Sequence, residues 1–229
     1  MLNQALVLKS RVSSAFAITD VENLKVWFKF NTGQGAITDG IQWNDSSGNN
    51  NHASQTADAQ EGSGFSGGGF VTDSDNNDNL DFSTTFTESG DYHLFMVLDL
   101  SEETNETFIS SVDSTSFMRF GHGGTSVEPF RMKHGGTLLD ITLSSGFGTT
   151  KAIAEVSRNS SNLVRVAKNG SSLGSGTGSG TFGFEQLGTT SNSISNATIF
   201  EVVIFSSELS TADATKVRND IADRNSITL

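Results

Sequence analysis

The chain has 229 residues, a formal net charge of −12, four histidines and no cysteine. A field of that sign repels phosphate backbones and anionic headgroups, which argues against nucleic acid and membrane surfaces as partners, and no apolar run approaches the ~20 residues of a membrane span. Without cysteine there is neither a disulfide framework nor thiolate chemistry.

The first eleven residues place Lys9 and Arg11 after an apolar stretch, the reverse of a signal peptide, so no signal peptide is expected. Residues 1–21 read as an N-terminal extension or docking arm, and residues 22–229 as one domain. Long helical periodicity is missing, while short alternating apolar runs recur between clusters of Gly, Ser, Thr and Asn, so the fold class is all-β. The strongest predicted strands are 24–30, 92–100, 107–112, 117–121, 152–157, 163–168, 181–187 and 197–205. In the first, Val26, Phe28 and Phe30 share one face and Trp27 takes the other, between Lys25 and Lys29. In the last, alternation sends Phe200, Val202 and Ile204 one way and Ile199, Val203 and Phe205 the other. A strand apolar on both faces is covered on both sides or lies at a partner interface. Asn169-Gly170 predicts a tight hairpin between residues 163–168 and a following extended segment. Ser210 caps a helix predicted over 211–224, with Asp213 at its third position and Ala214, Val217 and Ile221 at helical spacing. Residues 61–70 and 174–180 read as loops, and Pro129, the single proline, marks another turn.

Residues 41–55 concentrate turn-forming polar side chains around Trp43 and Gly48 and read as an ordered loop. Trp43-Asn44-Asp45-Ser46-Ser47-Gly48-Asn49-Asn50-Asn51 resembles the Trp-x-Asp-x-Ser-Gly-Asn-x-Asn loop near the start of concanavalin A-like (laminin-G-like) lectin domains. The order of segments is similar to that family from about residue 22 to 229. Leu24 to Phe30 resembles its first strand, and Gly69-Phe70-Val71 through Asn79-Leu80-Asp81-Phe82 resembles a strand ending in an acidic turn. Residues 86–99 resemble the long central strand, residues 163–170 the segment ending in Asn-Gly, and residues 197–224 the last inner strand with its short C-terminal helix. The resemblance implies a jelly-roll β-sandwich of two antiparallel sheets with one short C-terminal helix.

Glucanases on this fold carry a Glu-x-Asp-x-Glu run whose alternate spacing sets three carboxylates on one face, as retaining hydrolysis requires. This chain has no such run; Glu102-Glu103-Thr104-Asn105-Glu106 lacks the spacing and reads as a solvated turn. His52, His93, His122 and His134 show no metal-ligand pairing and read as surface or loop residues. No Gly-x-Ser-x-Gly elbow and no phosphate-loop lysine appear, so an enzyme is not expected. Residues 73–81 offer hard oxygen ligands within a short span, the raw material of a calcium site, although Asp78 and Thr84 depart from the EF-hand rule. Calcium-binding relatives point by region alone to Asp73, Asp75, Asn77 and Asp78; the other reading is a solvated Asn/Asp turn. Asp45 and Asn49 either bind metal or bond their own backbone and hold the loop closed. Stacking on a sugar calls for an aromatic ring beside planar polar groups, which singles out Trp27, Tyr92 and His93, with core packing the other role for Trp27. Trp43 is expected to plug the base of its loop.

Three functions fit these features. The first is a non-enzymatic virion surface protein, a phage capsid decoration, cement or fibre component, packing against other virion proteins or itself as a trimer and attaching to surface glycans. It would be assembled in the host cytoplasm. The second is a secreted, extracellular, calcium-dependent carbohydrate-binding module. The third, a glycoside hydrolase or lyase, lacks its acidic run.

Overall fold

A computed structural model describes residues 16–57, 61–62, 64–73, 78–101, 106–121, 129–188 and 196–229. In chain order the strands are β1 (Leu24–Phe28), β2 (Gln34–Ile37), β3 (Gly40–Trp43), β4 (Ala53–Gln55), β5 (Gly64–Ser66), β6 (Gly69–Val71), β7 (Asn79–Glu88) and β8 (Tyr92–Leu100). They continue with β9 (Glu106–Ser110), β10 (Phe117–Phe120), β11 (Phe130–His134), β12 (Thr137–Ile141), β13 (Ala152–Arg158), β14 (Leu163–Lys168), β15 (Ser171–Thr177), β16 (Phe182–Gly188) and β17 (Ala197–Phe205), before helix α1 (Thr211–Asn225). The strands form two antiparallel sheets. The first runs β15-β14-β13-β8-β17-β6-β5, with β1 also paired to β17; the second runs β12-β11-β10-β9-β16-β7-β4-β3-β2. This is an all-β jelly-roll sandwich with one C-terminal helix.

The inner faces of the two sheets meet in a core that includes Phe28, Trp43, Phe70, Tyr92, Phe108, Phe120, Phe184 and Ile204. Burying each such aromatic ring stabilises the fold by about 1.5–3 kcal/mol. A second apolar cluster lies on the outer face of the first sheet, where Trp27, Phe95, Val97, Ile153, Val203 and Phe205 meet Ala214, Val217, Ile221 and Ala222 of α1. The doubly apolar strands are therefore covered on both sides within this chain. The segment before β1 joins that cover: Ile18 is fully buried in the second cluster, with Phe16 and Val21 packed against it. Residues 1–15 of the predicted arm lie outside the described residues.

Several sequence readings change in detail. Simple alternation misplaces Ile199 and Phe200, because a register shift between Ile199 and Glu201 inserts one extra residue opposite β8. Ile199 thus faces the inner core with Val202 and Ile204, while Phe200 joins the outer cluster. Residues 86–99 are not one strand: β7 and β8 belong to different sheets, and the Ser89-Gly90-Asp91 corner carries the chain between them. Residues 61–70 include β5 and β6, which pair as a hairpin. Residues 174–180 begin inside β15, where a Cβ on Gly174 would stand 2.6 Å from the Thr142 carbonyl oxygen. The missing side chains there admit a close backbone approach, so residues 174–177 belong to a strand whose glycines serve packing, and only 178–180 lie in a loop. Glu106, read as part of a solvated turn, begins β9 and is 1% exposed; Glu102 and Glu103 lie outside the described residues.

The Asn169-Gly170 hairpin forms as expected, with φ of 50° and 80° at its two turn residues. Helix α1 starts where the capping signal places it: the Asp213 amide donates to Ser210 Oγ at 3.1 Å, and that hydroxyl donates to Asp213 Oδ2 at 2.8 Å.

Among the described residues, His93 and His134 are buried rather than exposed. His134 is 1% exposed, shares a 3.1 Å hydrogen bond with the Tyr92 hydroxyl through Nε2, and leaves Nδ1 without a partner. Burial, reinforced by the Arg158 charge, pushes its pKa down to about 4. The unfolded chain therefore binds this proton more tightly, so its contribution to stability is present above the unfolded value of about 6.5 and is lost as pH falls towards about 4. Over that window wild type is expected to lose on the order of 3 kcal/mol more than His134→Gln, read from urea midpoints at pH 7 and near pH 4. A variant keeping the full wild-type pH slope would place the proton elsewhere.

Candidate functional site

The outer face of the first sheet carries a polar row beyond the end of its apolar cover. In register, His93 of β8 stands beside Ser157 of β13, and Ser157 beside Arg165 of β14. Glu155 lies two residues along β13 on the same face. The loop after β17 rises over this row and delivers Glu208, Leu209 and Ser210 before α1 begins. The result is a cleft of about 480 Å³ between the sheet and the head of α1, lined by His93, Glu155, Ser157, Arg165, Glu208, Leu209, Thr211, Ala214 and Arg218, among others.

Its charged groups are held in place. His93 Nε2 lies 3.0 Å from Glu155 Oε1, and the Leu209 amide donates to His93 Nδ1 at 3.3 Å. The imidazole also stacks on Phe95, with ring centres 4.6 Å apart and planes 3° from parallel. Arg218 reaches down from α1 and clamps Glu155 through Nε at 2.8 Å and Nη2 at 3.1 Å. Burial by itself would raise the Glu155 pKa, but hydrogen bonds from His93 and Arg218 hold it below the ordinary glutamate value. At the rim Arg165 Nη1 donates to Glu208 Oε1 at 2.6 Å. A carboxylate kept ionised between two donors is poorly suited to deliver a proton as a general acid. Fixed donors and acceptors around a cleft suit recognition instead.

The opposite end of α1 is fastened by a second buried carboxylate. Glu201, fully buried, accepts from Trp27 Nε1 at 2.8 Å, from Arg224 Nη2 at 2.8 Å and from Asn225 Nδ2 at 2.6 Å. Lys29 Nζ lies 4.9 Å and the Arg224 guanidinium 5.1 Å from the Trp27 ring centre.

Of the residues singled out for sugar stacking, only His93 lines the cleft. Trp27 is 8% exposed beneath the far end of α1, with cations against its ring. Tyr92 is fully buried on the inner face against Phe182 and Phe184 and offers no surface to a sugar. The three do not converge. For the calcium candidates, Asp78 is 2% exposed, its Oδ2 accepts from the Asp73 amide at 2.6 Å, and its Oδ1 has no partner. Burial raises its pKa. Asp75 and Asn77 lie outside the described residues, among which no group of three or more His, Asp or Glu side chains is placed to hold a metal. In the residue 41–55 loop Asp45 accepts from the amides of Trp27, Ser47 and Asn51, and Asn49 Nδ2 donates to the Leu24 carbonyl, which closes the loop onto β1. Trp43 is fully buried and donates to the Thr32 carbonyl at 3.0 Å, plugging the loop's base.

Sequence reasoning missed Glu155, Arg165, Glu208 and Arg218. The signal available was Glu155 and Ser157 alternating with Ala154 and Val156 in an otherwise apolar strand; the helical partner Arg218 had none. Removing that partner leaves the Glu155 carboxylate short of two donors. Arg218→Met is therefore expected to destabilise by about 2 kcal/mol, reduced from the fully buried case because Arg218 retains some exposure. The same change in a Glu155→Gln background should cost clearly less, a coupling that a double-mutant cycle by urea denaturation will read.

No family model matches the sequence, and no curated protein matches it. Among solved structures, the fold is similar to the botulinum neurotoxin serotype C1 binding domain, at TM-score 0.58 and 18% identity, covering 89% of this chain and 53% of that one. A second botulinum neurotoxin type C structure, described as dependent on two ganglioside molecules for cell entry, matches at TM-score 0.58 and 15% identity over 89% of this chain and 52% of that one. A Trypanosoma rangeli sialidase matches at TM-score 0.54 and 10% identity, over 91% of this chain and 34% of that one. The chain spans about half the length of the neurotoxin structures it matches, and at these identities the likeness is one of fold: a jelly-roll β-sandwich.

Proposed function

We propose that this chain is a non-catalytic attachment module that binds a glycan in the cleft at the head of α1. The observation that carries the reading is the cleft itself: a pre-formed hollow whose charged side chains are paired with one another and whose buried glutamate is held ionised. The ganglioside interaction of the type C neurotoxin supports it, since a sandwich of this shape is there part of a chain that engages a glycolipid. The sialidase likeness, at 10% identity, is one of fold and carries no hydrolysis to this chain.

The setting we propose is a virion surface, as a phage capsid decoration, cement or fibre component that packs with other virion proteins or as a homo-trimer. Its support is the sequence: the absence of enzyme motifs and an N-terminal segment outside the sandwich pattern. The doubly apolar strands no longer speak for a partner, because α1 covers them. The secreted calcium-dependent module has one observation of its own, the partnerless buried Asp78 oxygen, which a cation held with Asp73, Asp75 and Asn77 would satisfy.

A glycan array run with calcium and again with chelator tests both readings. Binding in both conditions is expected from the cleft, and absence in both would sink the attachment module. For calcium, wild type but not Asp78→Asn should melt several degrees lower in chelator, because a ligand of the folded state stabilises by mass action; equal melts would retire the metal. Sedimentation of the full chain reads the virion setting, for which a monomer at all concentrations is the adverse result.

A further inference from the structure

Building on the attachment reading, we infer that the cleft at the head of α1 takes a neutral, hydroxyl-rich saccharide and disfavours acidic glycans. The reason is how its charges are matched. Arg218 binds Glu155 through two nitrogens, and Arg165 binds Glu208 at 2.6 Å. The Leu209 amide donates to His93 Nδ1, so the ring's proton sits on Nε2, facing Glu155, and the imidazole is neutral. Two guanidinium groups therefore balance two carboxylates, and the lining carries no net charge. An acidic sugar would have to pull a guanidinium from its carboxylate or add an unmatched anion to a chain already at −12. A neutral one does neither.

The rim offers what a diol needs. Arg165 and Glu208 retain 47% and 31% side-chain exposure, and one nitrogen and one oxygen are used on each other. The other Arg165 N–H groups and Glu208 Oε2 have no partner among the described residues. A hydroxyl donates once and accepts, so a vicinal pair can bridge a guanidinium edge and a carboxylate oxygen lying side by side. Ser157, between His93 and Arg165 in register, and Thr211 on the first turn of α1 add hydroxyls that make no side-chain hydrogen bond among the described residues. Leu209 and Ala214 give the cleft an apolar wall for the C–H face of a sugar ring.

The full chain is to be screened on neutral oligosaccharides ending in glucose, galactose, mannose or N-acetylglucosamine beside sialylated, uronic and sulfated ones, with hits titrated at low and high salt. The expected hit is neutral, changes Kd by less than about threefold with salt, and weakens by about tenfold or more in Arg165→Gln and in Glu208→Gln at unchanged melting temperature. An acidic glycan that outbinds its neutral parent, and loses affinity in Arg165→Gln, overturns the neutral assignment while the attachment reading stands. Glycan binding that neither variant alters overturns the cleft as the binding site. No binding to any glycan removes the attachment reading and this inference together.

Discussion

Glu201 is the constraint on which the outer half of this molecule depends. It sits on the central strand of the first sheet, fully buried, with Trp27 of β1 and Arg224 and Asn225 of α1 all donating to it. A lone carboxylate in that position would cost several kcal/mol to desolvate. Its donors come from the first strand and the last helix, so satisfying this one charge ties the two ends of the described sandwich to its middle. Once the far end of α1 is fastened, Val217, Ile221 and Ala222 fall over Val203 and Phe205, and the outer apolar face is closed. The head of the helix is fastened separately, through Arg218 to Glu155. The cleft lies at that head, between α1 and the sheet's polar row.

The interior has a second polar arrangement of a different kind. Arg158 is 1% exposed, donating to the Gly180 carbonyl at 2.7 Å and to Asn162 Oδ1, while its Nε has no partner. No carboxylate pairs with it among the described residues. Burial, reinforced by this charge, keeps the neighbouring His134 neutral, and the Tyr92 hydroxyl remains protonated because burial raises its pKa. Cation and neutral ring thus coexist because the ring gives up its proton, which is how a buried site accommodates one charge where two would repel. The arrangement makes the inner end of the sandwich sensitive to acid while the outer cleft is fixed by ion pairs.

Much of the fold was legible in the sequence, and the parts that were not have identifiable causes. Residues 92–100, 163–168 and 197–205 are strands to the residue, because each is a dense run of β-branched, aromatic and aliphatic side chains with a turn signal at its ends. The helix was equally plain from Ser210, Asp213 and the spacing of Ala214, Val217 and Ile221. β2, β3 and β4 are three or four residues long and rich in Gly, Gln and Ser, so they carry too little apolar pattern to be read; pairing, not propensity, makes them strands. The bulge at Phe200 inverted a correct alternation at one point, since a period of two cannot report an inserted residue. Site residues fared worse. His93 was found for its aromatic ring, yet it is fixed by Glu155, and through Glu155 by Arg218 sixty-three positions further on, a relation that exists only after the sheet and helix have packed.

The distinction between a binding cleft and a catalytic one then rests on what the carboxylates are free to do. Hydrolytic sandwiches need one carboxyl that holds a proton near neutral pH and another free to attack or activate water. Here burial alone would push Glu155 towards the protonated form, and that is how an acid catalyst is made elsewhere. Arg218 and His93 reverse the outcome, so the same burial that could have produced a general acid instead produces a rigid anion. At the rim one Glu208 oxygen accepts from Arg165. A Glu155 held ionised between two donors has no proton to give a glycosidic oxygen, and it is on this fixed polarity, rather than on fold likeness, that the proposed glycan site rests.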